Sequence, residues 1–199
     1  MKKAQRVWPL LSVLAISCAD SGGPVTVDAR WNLTCPSQSQ AGCGSAAPNT
    51  CLNDGVGANE RAIVGQHGDI TCTDDPIIAT CEGIERSGGT SYRLEADVGG
   101  AFGFELEATI GSDNAPVEPF PCNVTIVEDG LSYDIGACGT EPPSPEQPCQ
   151  LSSITVGGGE VTFDLQCDSL LSSTTGFGFD VGATGGGPTT IRFANCTGL

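Results

Sequence analysis

From Val25 to Cys35 the chain alternates strictly. Val25, Val27, Ala29, Trp31, Leu33 and Cys35 are apolar, and Thr26, Asp28, Arg30, Asn32 and Thr34 separate them. A period of two sustained over this length puts every second side chain on one face of an extended strand and excludes a helix there. Trp31 falls on the apolar face and reads as core rather than as a ligand platform.

The same period recurs downstream. Tyr92, Leu94, Ala96 and Val98 alternate with Arg93, Glu95 and Asp97, and Phe102, Phe104, Leu106, Ala108 and Ile110 alternate with Gly103, Glu105, Glu107 and Thr109. A loop at Gly99 to Ala101 pairs Val98 with Phe102, Ala96 with Phe104 and Leu94 with Leu106, and sets Arg93 opposite Glu107. A shorter Gly-Gly loop would put Asp97 opposite Phe102 and mix the wet and dry faces. A second hairpin, Cys122 to Ala137, turns at Asp129-Gly130, a pair suited to a type I′ turn. It matches Ile126 with Tyr133 and Val124 with Ile135. In that register Cys122 and Cys138 point to opposite faces, so no bond between them is expected. A third hairpin, Gln150 to Cys167, turns around Gly157 to Gly159 and matches Val156 with Val161 and Ile154 with Phe163.

Phe177, Phe179 and Val181, then Ile191 and Phe193, read as a last pair of strands. Short strands are also expected at Ile63-Val64, Asp69 to Thr73 and Ile77 to Ile84. Phe102-Gly103-Phe104-Glu105-Leu106 resembles Phe177-Gly178-Phe179-Asp180-Val181, a likeness that marks either an internal duplication or, the preferred reading, two strands with the same packing need. Residues 36–60, rich in Gly, Ser, Pro and Asn, read as an irregular loop, and Thr140 to Pro148, with four prolines, as a stiff exposed one. Beyond the leader no window has a helical period. The expected fold is all-β: an antiparallel β-sandwich, jelly-roll-like and stapled by disulfides.

The chain has 11 cysteines. One, Cys18, directly follows the N-terminal leader. The others, Cys35, Cys43, Cys51, Cys72, Cys81, Cys122, Cys138, Cys149, Cys167 and Cys196, form an even set that reads as a disulfide framework in an oxidising compartment. Their pairing stays open, with Cys43 to Cys51 a candidate local bridge. No C-x-x-C occurs and His67 is the single histidine, so no Cys/His zinc site can be assembled.

Lys2, Lys3 and Arg6 precede an apolar run, Val7 to Ile16, too short for a permanent membrane span. The run ends in Leu14-Ala15-Ile16-Ser17-Cys18, which resembles the lipobox of bacterial lipoproteins. The resemblance implies cleavage before Cys18 by the lipoprotein signal peptidase and diacylglycerol on its sulfur, usually with an acyl group on its amine. With Ala19 directly after the cysteine and the aspartate at Asp20, the outer membrane is the expected destination. The division expected is a signal peptide at 1–17, a lipidated tether at 18–24 and a single sandwich domain at 25–199.

The net charge is −16. Once the leader is gone the cations are Arg30, Arg61, Arg86, Arg93 and Arg192, with no lysine. So anionic a surface repels nucleic acid and acidic lipid headgroups.

Chemistry is sparse. His67 and Asp69 with a serine would be needed for a hydrolase, and no G-x-S-x-G is present. The acids of Arg93 to Asp97 and Glu105 to Glu107 alternate as the wet face of a sheet should. Calcium has candidate oxygen ligands at Asp74-Asp75, Asn53-Asp54 with Asn59-Glu60, and Asp113-Asn114, none in EF-hand spacing. The aromatics that a glycan site would use, Trp31, Tyr92 and Tyr133, fall on apolar faces. Asn32, Asn123 and Asn195 open N-x-[ST] triplets, which carry weight only in a eukaryotic secreted chain. The expectation is a non-catalytic cell-envelope lipoprotein with no metal and no cofactor. It would be attached to the membrane by its lipid and act by surface contact, with an envelope protein or glycan as partner, or as a structural component. The alternatives are a glycan- or calcium-binding module on the same scaffold, then a hydrolase.

Overall fold

A computed structural model of the protein describes residues 22–34, 60–71, 73–118 and 121–199. The expected features at Cys18, Cys35, Cys43, Cys51, Cys72, Asn53-Asp54 and Asn59 lie outside the described residues. Among the described residues there are strands and turns and no helix.

The alternating segments become strands with the expected faces inward. Strand β1 (Thr26–Thr34) buries Val27, Ala29, Trp31 and Leu33. Strands β2 (Glu60–Gln66) and β3 (Ile77–Arg86) follow. Asp69 to Thr73 is not a strand; only a single bridge, Ile70 to Pro76, forms there. Strands β4 (Gly89–Val98) and β5 (Phe102–Ile110) pair in the expected register, Val98 with Phe102, Ala96 with Phe104 and Leu94 with Leu106. Arg93 does lie opposite Glu107, but its ion pair is diagonal, to Glu105 at 3.2 Å. Strands β6 (Cys122–Glu128) and β7 (Leu131–Tyr133) complete a five-stranded antiparallel meander in the order β3-β4-β5-β6-β7.

The first sheet has seven strands. It contains β1, β2, β8 (Cys138–Gly139), β9 (Cys149–Gly157), β10 (Glu160–Leu171), β11 (Gly178–Gly182) and β12 (Thr189–Ala194). All its pairings are antiparallel except β8 with β9. The expected last pair of strands is present but the two do not pair with each other. Both lie between β1 and β10, end to end. Against β1, Asn32 faces Gly182 and Ala29 faces Ile191; against β10, Cys167 faces Val181 and Leu165 faces Thr189. Both neighbours register the same jump, so β11 and β12 are one strand from which residues 183–188 loop out. That loop holds Gly185, Gly186 and Gly187, whose φ values of 93°, 92° and 88° an L side chain rarely adopts.

The two sheets share one core. Phe104 of the meander packs among Trp31, Phe163 and Phe193 of the other sheet, with ring centroids 6.5, 6.0 and 6.4 Å away. The architecture is an antiparallel β-sandwich.

Single-residue bulges shift the faces at three places. In β9, Cys149 and Leu151 point inward, then Ile154 does, because Ser153 bulges out at φ 52°. In β10 the inward series Val161 to Cys167 resumes at Leu170, with Ser169 at φ 55°. After β7, Tyr133 is buried, Ile135 is exposed and Gly136 faces inward. The third shift corrects the second hairpin. Ile126 faces Tyr133 as expected, but Val124 bonds to Gly136, not Ile135, and Asn123 pairs with Ala137. One extra residue reverses the parity and brings Cys122 and Cys138 to the same face, where they form a disulfide. Their expected separation was wrong for that reason. Gly136 is required here: a Cβ would meet Leu170 Cδ1 at 2.5 Å and the Val124 carbonyl at 2.8 Å.

Two further disulfides are present among the described residues. Cys149–Cys167 joins β9 to β10 at positions that face each other only because Ser153 bulges. Cys81–Cys196 staples the C-terminal tail to β3. The tail also covers the outer edge of β3, with Thr197 N–H donating to Cys81 O and Gly83 N–H to Thr197 O. Further along the same edge, Ile77 N–H donates to Asp69 O and Ala79 N–H to His67 Nδ1. An edge so covered offers little to another strand.

Candidate functional site

The residues singled out for chemistry are mostly engaged in structure. Nδ1 of His67 accepts the Ala79 amide at 3.1 Å, so the imidazole finishes a strand edge. Asp69 spends its carboxylate on the Gln66 N–H at 2.9 Å. Thr73 donates its hydroxyl to Asp75 Oδ2 at 3.1 Å, and Asp113 Oδ1 accepts the Ala115 N–H at 3.3 Å. Both are turns closed by aspartate, a common use of that residue. Among the described residues no three His, Cys, Asp or Glu side chains gather as a metal site. Trp31, Tyr92 and Tyr133 are buried, as their strand phase predicts. Asn195 donates its side-chain amide to the Pro24 carbonyl at 3.0 Å, and Asn123 is exposed.

The surface feature that does gather chemistry is a cleft at the end of the first sheet. It grows out of the proline loop and the bulges. Pro148 accepts the Asp168 N–H at 2.8 Å, which fastens the loop to β10. Ser144 and Gln147 exchange backbone hydrogen bonds, and Gln147 Nε2 donates to Cys138 O at 3.1 Å, which holds the loop in shape. Ile135 and Asp134 both donate their N–H groups to Leu171 O, so the exposed Ile135 is set beside the exposed Leu171.

Between these elements lies a cavity of about 560 Å³ with Ile135, Leu171 and prolines 143, 145 and 148 as apolar walls, and Glu146, Asp168 and Asp180 as acids. A second hollow of about 490 Å³ adjoins it through Ala137 and Glu146 and adds Glu118 and Glu141. Both volumes are in the range of small-ligand sites. No arginine lines either one. Asp180 Oδ1 accepts the Ser169 N–H at 2.9 Å. Burial pushes the Asp180 carboxyl above its ordinary range, and the charge of Asp168 adds to this against the Ser169 amide.

The sequence did not single out these acids, since nothing in their spacing distinguishes them from other surface carboxylates. A buried pair was also missed. Arg61 on β2 and Glu128 on β6 are both buried and join the sheets. A signal existed for that pair: Arg61 has the phase of Ile63, and Glu128 the phase of Val124 and Ile126.

The registers also place the cleft along the molecule. The described chain enters at residues 22–24, beside the first residue of β1, where Thr26 faces Ala194. Asp180 faces Thr34, the last residue of β1, and Leu171 ends β10. Along β1 this is a separation of about 26 Å. The cleft and the chain entry are therefore at opposite poles. Comparisons with known protein families, with curated proteins and with solved structures found no match to this chain.

Proposed function

We propose that the protein is a non-catalytic lipoprotein of the bacterial cell envelope that holds a binding cleft away from the bilayer. The observation that carries this reading is the position of the cleft, at the pole opposite the chain entry. A chain anchored at Cys18 has only the residues up to Pro24 as a tether, at most about 20 Å when extended. The entry pole would then face the membrane and the cleft would face outward. The engagement of His67 with Ala79 supports a structural histidine rather than a proton shuttle.

The test uses the full chain expressed with its leader. The N-terminal fragment should carry acyl mass on Cys18, and Cys18→Ser should move the protein from the membrane fraction to the soluble one. Purified protein should leave generic ester and glycoside substrates intact. A bare N-terminus, or turnover that His67→Ala abolishes, would overturn the reading.

A further inference from the structure

We propose that the cleft receives an extended, arginine-bearing peptide segment of a partner protein, with the carboxylates of Glu146 and Asp168 set to take the guanidinium beside the exposed Ile135 and Leu171. This rests on the cleft being a binding site, as argued above, and names what it binds.

Carboxylates alone would be an ordinary wet rim. Their setting here is different. Ile135 is 52% exposed and Leu171 37%, and both line the cavity. Large apolar side chains left open in one hollow are a feature of binding surfaces. A ligand that suits the hollow must bring apolar groups as well as charge.

Carboxylates and carbonyls on the walls outnumber the side chains that can donate, Ser144, Ser169, Asn123, Thr140 and Gln147. Pro143, Pro145 and Pro148, and in the adjoining hollow Pro116 and Pro121, have carbonyl oxygens but no N–H. Within the described residues no donor reaches the carboxylates of Glu118, Glu141, Glu146 or Asp168. The cleft thus offers acceptors in excess of donors. Guanidinium is the complementary group, with five donors in a planar fork and no acceptor. It is also weakly hydrated for a cation and tolerates an apolar wall, unlike an ammonium. The two hollows meet at Ala137 and Glu146, so the site is longer than one side chain and suits a run of chain.

Charge separates the candidate occupants. A second copy of this chain, with net charge −16, is repelled. Residues 35–59 contain no lysine or arginine and cannot supply the cation themselves.

The experiment measures binding of a labelled hexapeptide of alternating arginine and leucine to the purified full protein, by fluorescence anisotropy and by amide chemical shifts. The peptide should bind, shift the amides of Ile135 and Leu171, and lose affinity about tenfold or more in Glu146→Gln with Asp168→Asn. The control is Glu95→Gln with Glu105→Gln, an equal charge change on the outer face of the meander. It should stay within about twofold of the parent. Equal weakening by both double variants would mean diffuse attraction and would overturn the proposal, as would displacement by spermidine at matched concentration. If a neutral leucine–serine peptide or a glycan shifts Ile135 and Leu171 where the arginine peptide does not, the arginine occupant is wrong and the cleft remains a binding site. If no ligand shifts those amides, both readings fail.

Discussion

Arg61 and Glu128 meet across the two sheets as a buried, two-pronged ion pair. Nε of Arg61 donates to Oε2 of Glu128 at 2.9 Å, Nη2 donates to Oε1, and Nη1 donates to the Glu60 carbonyl at 3.1 Å. Both side chains are almost fully out of solvent. Removing Arg61 leaves Glu128 as a buried charge, and removing Glu128 takes both prongs of the pair from the buried Arg61, each at a cost of about 3–5 kcal/mol. Arg61→Met and Glu128→Leu are each expected to lose that much in denaturant unfolding under oxidising conditions. The joint variant should recover most of the loss, because a well-packed apolar pair avoids the desolvation cost. A joint variant as unstable as the singles would assign the stability to the pair itself.

The disulfides should differ in weight according to the chain they close. Cys122–Cys138 closes a separation of 16 residues and Cys81–Cys196 one of 115. Loop-closure entropy gives about 3 kcal/mol for the shorter and about 5 kcal/mol for the longer. Cys81→Ser with Cys196→Ser is therefore expected to lower the unfolding midpoint more than Cys122→Ser with Cys138→Ser. It should also speed hydrogen exchange at Gly83, whose N–H is covered by Thr197. Non-reducing peptide mapping should recover both pairs together with Cys149–Cys167.

Asp180 gives the cleft a pH signature. Burial and the charge of Asp168 raise its folded carboxyl above the ordinary value of 3.8. The folded state then holds this proton more tightly than the unfolded chain does. Stability from this group is full below 3.8 and is lost as pH rises through the higher folded value. Asn at this position keeps an acceptor for the Ser169 N–H and carries no charge. Asp180→Asn should match the parent near pH 3 and exceed it at pH 7. The group is only half-buried, so solvent screens it and the gain is modest. Equal stability at both pH values would refute this account.

Residues 183–188 should be dispensable. Removing them joins Gly182 to Thr189 with Arg30–Asn32 still in register on one side and Leu165–Cys167 on the other. The number removed is even, so no side chain changes face. The loop's side-chain tie, Thr184 to Glu60 at 3.3 Å, is exposed and weak. The deletion variant should fold with an unchanged β spectrum and an unfolding midpoint equal to or above the parent's, since three glycines leave the unfolded ensemble. A molten product would show that the excursion sets the register.

Much of the sandwich was readable because alternation is a direct record of facing. The phases of Val27 to Leu33, and the register that set Val98 against Phe102, carried over to the strands without change. What the pattern could not reveal were the bulges. Ser153 and Ser169 adopt left-handed backbone where the sequence offers no glycine or asparagine to announce it, and the extra residue before Gly136 looks like ordinary strand. Each shifts the phase by one. The error over Cys122 and Cys138 came from this, as did the silence about the cleft, which is assembled where the bulged ends of β7 and β10 meet. The acids there lie on loops and bulges, where spacing along the chain says nothing about proximity in space.

In the finished sheet β1 lies against β11 and β12, so the earliest segment and the latest share a ladder. A polypeptide delivered from its front end has, by residue 171, β2 on one flank of β1 and an empty slot on the other. Only the arrival of 178–194 fills that slot and joins β10 to β1 through a common keystone, after which Cys196 can reach Cys81. Closure is thus deferred to the final tenth or so of the molecule. Until then β1 and β10 have no strand in common, and the bridge from Cys81 to Cys196 cannot close.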